Sequence, residues 1–89
     1  MDQKFDLGQV FITAAANEVL ERIEILAALE RHLIGDWGDL EREDRQANDQ
    51  ALLDGTRLLS AYTDRWGVKY WVITEWDRSV TTILLPSDY

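Results

Sequence analysis

Residues 56–74 read Thr56-Arg57-Leu58-Leu59-Ser60-Ala61-Tyr62-Thr63, Asp64-Arg65-Trp66-Gly67, then Val68-Lys69-Tyr70-Trp71-Val72-Ile73-Thr74. Here the pattern of the chain switches to a period of two. Leu58, Ser60 and Tyr62 alternate with Leu59, Ala61 and Thr63, so successive side chains point to opposite faces of a strand. The four residues from Asp64 to Gly67 form a hairpin turn, and residues 68–74 are almost all β-formers. Glu75-Trp76-Asp77-Arg78-Ser79 makes a second connection. Residues 80–85 give a third strand, which Pro86 stops. Three sequential strands with short connections predict an antiparallel meander.

Working back towards the N-terminus, the period lengthens. Residues 14–34 are good helix formers, with Val19, Leu20, Ile23, Leu26 and Ala27 at spacings of three and four. Thr13 or Asn17 can cap the start, and Gly35 can close the end. The apolar stripe drifts, which predicts two helices or one kinked helix with the change of direction at residues 23–25. Gly35-Asp36-Trp37-Gly38-Asp39 reads as a compact turn. Asp39 is then the N-cap of a helix over residues 40–53, ended by Asp54-Gly55. Before all of this, Gln9-Val10-Phe11-Ile12-Thr13 is short and β-branched, and it reads as a strand. The expected fold is α+β: a three-stranded antiparallel meander packed against two or three helices, order β-α-α-β-β-β. The first strand is either a fourth strand at an edge or detached.

Eighty-nine residues fit one domain, residues 1–89, with a thin core. The chain has no cysteine, which fits a reducing compartment and removes thiolate metal sites. Met1-Asp2-Gln3-Lys4-Phe5-Asp6 does not read as a signal peptide, and no apolar run approaches a bilayer span. A cytoplasmic location away from membranes is expected. The net charge is −8, and residues 35–54 hold seven acids against Arg42 and Arg45. Such a field repels phosphates, so direct nucleic-acid binding is disfavoured; basic proteins, including those that bind nucleic acid, are favoured partners.

Several constellations resemble chemistry. His32, the only histidine, precedes Asp36 and Asp39 at near-helical spacing, a weak metal signature that Gly35 interrupts. As a structural residue, His32 would complement a helix C-terminus. Ser60 and Ser79 lack the surroundings of an activated nucleophile, so no catalytic residue, metal site or cofactor is assigned. Arg57, Lys69 and Tyr62 would make a cationic pocket if they shared a sheet face. That pocket and the element order resemble ribonuclease toxins of the RelE type, although those are strongly basic. Trp37, Trp66 and Trp76 sit in turns beside charged residues, where tryptophan serves either as an interaction hot spot or as a lid over a thin core.

The runs Gly35-Asp36-Trp37-Gly38-Asp39 and Thr74-Glu75-Trp76-Asp77-Arg78-Ser79-Val80-Thr81-Thr82, with Asn48, Ala51-Leu52, Gly55 and Ser60-Ala61-Tyr62, carry a further likeness. The chain resembles a family of small bacterial proteins encoded on plasmids and other mobile elements, over residues 7–89. Relatives in that family have Ala at Trp76 and a Gly- or Pro-containing break at residues 21–25, which implies a more continuous helix here. The resemblance implies a genetic setting and carries no activity. Within those motifs, Arg78 is a natural partner for Asp36 and Asp39, as a latch between two loops or as a ligand site with Glu75 and Tyr62.

The expected function is a non-catalytic protein-interaction module, with Trp37, Asp36, Asp39, Glu43, Asp44, Trp66, Glu75, Trp76, Asp77 and Arg78 as its surface. The alternatives are an acidic inhibitor of host defence that mimics nucleic acid, and a small-ligand protein or enzyme centred on Arg78. A homodimer through strand edges at residues 10–13 or 80–85 is also open.

Overall fold

The alternation in residues 58–84 produces a sheet with one buried face, largely apolar but carrying Ser60, Thr74 and Thr81, and that face organises everything else. The structure is a computed structural model and describes residues 2–89. In chain order the elements are β1 (Gln9–Ile12), α1 (Ala14–Val19), α2 (Arg22–Leu33), α3 (Arg42–Asp54), β2 (Leu58–Thr63), β3 (Lys69–Thr74) and β4 (Val80–Leu84), followed by a 3-10 turn at Pro86–Asp88. β2, β3 and β4 form the expected antiparallel meander. β1 joins it as a fourth strand, parallel to β4, so the sheet is mixed with order β1-β4-β3-β2. The parallel pairing follows from connectivity, since the three helices intervene between β1 and the meander. β4 is consequently an interior strand, and of the two edges proposed for pairing between copies only β1 is free.

Leu58, Ser60, Tyr62, Tyr70, Val72, Thr74, Thr81 and Ile83 point to one face and are all fully or nearly fully buried there, Leu58 in a second cluster with Trp37 and, from α3, Ala51. Ala16, Leu20 and Ala28 from the helices complete this core. Burial of each large apolar side chain there contributes about 1.5–3 kcal/mol relative to exposure.

Thr13 caps α1, its hydroxyl accepting from the Ala16 amide at 3.2 Å. The break between α1 and α2 falls at Leu20-Glu21, not at residues 23–25, so residues 14–33 form two helices. The reason is visible in Leu20: it leaves helical geometry (ψ 135°) to drop its side chain into the core. Gly35 follows α2 in the left-handed region (φ 81°), as expected of a residue just past a helix end.

α3 starts two residues later than expected, with Glu41 and not Asp39 at its N-cap. Asp39 is drawn away because residues 37–39 pair with the outer edge of β2: Ala61 N–H donates to Trp37 O (3.1 Å), and Asp39 N–H donates to Ala61 O (2.7 Å). Gly38 permits that approach. A Cβ there would sit 2.0 Å from the Ala61 carbonyl oxygen, and its φ is 78°.

Candidate functional site

Each residue singled out above has a definite place, and the structure separates most of them. Arg78 makes no pair with Asp36 or Asp39. It donates to three backbone carbonyls, Thr56 (2.6 Å), Glu75 (3.1 Å) and Ala51 (3.1 Å), from a left-handed backbone (φ 61°). Its guanidinium also lies over the Phe5 ring. Arg78 thus ties the β3–β4 connection to the end of α3 and the start of β2. It is a latch, but to different partners than expected. Asp77 turns back on the same connection, accepting from the Ser79 amide and hydroxyl, which holds its carboxyl below the ordinary range.

Asp36 pairs instead with Arg31, with Nε–Oδ2 at 2.7 Å; the ion pair lowers the Asp36 pKa and raises that of Arg31. The Arg31 guanidinium stacks 4.4 Å above the Tyr62 ring, and the Tyr62 hydroxyl donates to the Asp36 carbonyl. Burial pushes the Tyr62 hydroxyl up to about 12. Asp39 accepts from Thr63. The expected cationic pocket fails on parity: Tyr62 faces the helices, whereas Lys69, opposite Thr63, points to the other side. Arg57 donates to the Tyr89 hydroxyl. The proposed ligand site at Arg78, Glu75, Asp36 and Tyr62 therefore does not converge.

His32 is where sequence reasoning missed most. It does not face Asp36 or Asp39, and among the described residues no three imidazoles or carboxylates gather as a metal site. It lies fully buried in the core, Nδ1 2.6 Å from Ser60 Oγ and Nε2 2.9 Å from Thr74 Oγ1. The chain continues from Thr74 to Thr81 (2.7 Å) and ends where Thr81 donates to Leu7 O. The bond directions follow from the last link. Thr81 spends its proton on Leu7, so Thr74 must donate to Thr81 and Nε2–H must donate to Thr74. Nδ1 is left bare to accept from Ser60. The Ser60–His32 pair has nucleophile–base distances, but both residues are closed off from solvent and no acid orients the ring. It is a core network in which every member is satisfied. The signal for it was present in the sequence: Ser60, Thr74 and Thr81 occupy buried parity in otherwise apolar strands.

The tryptophans divide. Trp37 is core, 3% exposed, packed by Ala51, Leu58 and Phe5, its indole N–H donating to Asp49. Trp66 (69% exposed) and Trp76 (67% exposed) sit in the β2–β3 and β3–β4 connections, at opposite ends of the sheet, and cannot act together on one small patch. Trp66 shares its corner with Arg65, which pairs with Glu21.

What remains is a surface the sequence did not mark. The sheet face away from α1 and α2 carries Leu59, Ala61 and Trp71, all half-buried, beside Ile73 and Leu84, which are buried. Two open depressions, ≈ 530 and ≈ 350 Å³, meet at Trp71. One wall is α3 and the residues before it, through Leu40, Ala47, Asp39 and Asp44; the other side is formed by Pro86. Tyr89 packs edge-on against Trp71 at 5.7 Å and steadies it. Of the expected surface residues, Asp39 and Asp44 line this groove, and exposed Glu43 adjoins it on α3. Comparison with known families, curated proteins and solved structures produced no match to this chain.

Proposed function

We propose that this chain is a non-catalytic protein-interaction module and that the groove over Trp71 is its docking surface. The observation that carries the reading is the pairing of an apolar floor with an acidic wall. Leu59, Ala61 and Trp71 supply the apolar contact; Asp39 and Asp44, with Glu43 beside them, put negative charge on the α3 side, while Lys69 lines the groove as its one cation among the described residues. An aromatic anchor in a shallow trough with a charged rim is the usual composition of an interaction hot spot. The fitting partner is a protein segment with an apolar stripe and Lys or Arg along one flank. α3 suits this role because it is held through Asn48, Ala51, Leu52 and the Asp49–Trp37 bond, while Glu43 and Asp44 stand in solvent.

The likeness to small plasmid-encoded proteins supports a setting on a mobile element, where the partner would be a host or element protein. The same exposed carboxylates support a second reading, an acidic inhibitor that occupies the phosphate-binding surface of a nucleic-acid enzyme. Both readings give the acids of α3 a role, and the floor separates them. Photo-crosslinking from Ala47, which lines the groove, compared with exposed Glu18 on α1, tests the proposal. A basic partner trapped from Ala47, and lost on Glu43→Lys/Asp44→Lys and on Trp71→Ser, is the expected result. Retention of the same partner in Trp71→Ser with loss in the double lysine variant would favour mimicry.

A further inference from the structure

We propose that β1 is a dimerisation strand, pairing antiparallel with β1 of a second copy across a two-fold axis at Phe11. The two edges of the sheet are treated differently by the chain. On β2, the side-chain amide of Asn48 exchanges two hydrogen bonds with Leu59, donating to its carbonyl (2.7 Å) and accepting from its N–H (3.1 Å). Ala61 is paired to residues 37 and 39, so that edge is closed to strand addition. β1 has no such cover among the described residues. Gln9 N–H and Thr13 N–H point inward, to Ser79 O and Ile83 O, which turns the backbone groups of Val10 and Ile12 outward.

Free edges in proteins that stay single are usually guarded by Lys, Pro or a bulge. β1 has none of these. Its sequence is Gln-Val-Phe-Ile, with Val10 44% and Phe11 53% exposed. Val19, Ile23 and Leu26, on the two helices that cover the neighbouring strands, are exposed as well. A four-residue ladder alone falls short of the ~1,000 Å² a stable association buries, so an association through β1 must cover apolar side chains outside it as well.

Charge selects the occupant. At a net −8 a second copy is repelled from most of the surface, but residues 7–17 form an eleven-residue run with no charged side chain. The spacing is self-complementary. With the axis at Phe11, Val10 faces Ile12 of the other copy and Ile12 faces its Val10, giving four backbone hydrogen bonds. The two Phe11 side chains then meet as a non-hydrogen-bonded cross-strand pair. The result is one continuous eight-stranded sheet with closed two-fold symmetry. The groove over Trp71 stays free, because α3 flanks the opposite edge.

Val10→Pro is the decisive variant. Val10 N–H is not used within the chain, so proline there removes an outward donor and leaves the β1–β4 ladder in place. Sedimentation equilibrium of the wild type should show a monomer–dimer equilibrium. Val10→Pro and Phe11→Lys should be monomers with unchanged circular dichroism. In this cysteine-free chain, Phe11→Cys should oxidise to a covalent dimer. A wild type that is monomeric at all concentrations up to millimolar would overturn the proposal, whether or not β1 then captured a strand from another protein. So would a dimer that survives both Val10→Pro and Phe11→Lys.

Discussion

His32→Gln, compared with the wild type across pH, tests the buried network quantitatively. In the folded chain the His32 imidazole is held down to about 3, first by burial and second by the Arg78 charge; its ordinary value is 6.5. Phe5 and Trp37 pack edge-on against the ring, and Ser60 and Thr74 occupy its two nitrogens. The sign follows from proton uptake. Below pH 6.5 the unfolded chain binds a proton at His32 and the folded chain does not, so the contribution is complete above pH 6.5 and is lost as pH falls towards 3. Each pH unit in that window costs about 1.4 kcal/mol, so at pH 5 the loss is about 2 kcal/mol relative to pH 7.5. For a domain of this size that corresponds to roughly 8–16 °C in Tm.

Glutamine can accept from Ser60 and donate to Thr74 without titrating, so the variant carries every other pH effect of the chain. Urea denaturation at pH 7.5 and pH 5 gives the double difference. The stability advantage of the wild type over His32→Gln should shrink by about 2 kcal/mol over that interval. An advantage independent of pH would refute the reasoning, since it would mean that the imidazole protonates equally in both states. Nitrogen chemical shifts should also show a neutral Nε2–H ring that does not titrate between pH 8 and pH 5.

Arg78→Ala removes three charge-assisted bonds to backbone carbonyls and should cost about 2–4 kcal/mol, seen as a lower urea midpoint with the groove amides unshifted; Arg78→Gly should recover about 1 kcal/mol of that, because glycine accepts φ 61° freely. An unchanged midpoint for Arg78→Ala would show that the latch is slack. Gly38→Ala and Gly55→Ala both place a side chain at positive φ, but only the first meets an obstacle. Gly55 should therefore lose about 1 kcal/mol, and Gly38 clearly more, together with faster amide exchange at Ala61. Equal losses would contradict the account of the β2 edge.

The meander was legible because residues 58–84 alternate cleanly between two short turns, and period-two patterns leave little freedom in register. The break at Leu20-Glu21 was not. Helix-forming residues run straight through it, and only the pull of Leu20 into the core ends α1. Likewise, Asp39 has every attribute of an N-cap, yet its amide pairs with Ala61, an interaction with a residue 22 positions away. For Arg78 the sequence left a latch and a ligand site both open, with Asp36 and Asp39 as partners; its actual partners are carbonyls, and backbone acceptors carry no sequence signature. Trp37 was placed among exposed turns, whereas the Gly35–Gly38 bracket lets the chain fold it under α3. The groove was invisible for a simpler reason: it is defined by what does not cover Leu59, Ala61 and Trp71.

Crosslinking from position 47 on the wall of that groove, with position 18 on α1 as the control, tests the interaction reading most directly. A protein with a basic, apolar-striped segment should be trapped from position 47 and not from position 18, and Trp71→Ser should abolish the adduct. Adducts at position 18 alone, or adducts at position 47 indifferent to Trp71, would show that the face over Trp71 is not where this protein meets its partner.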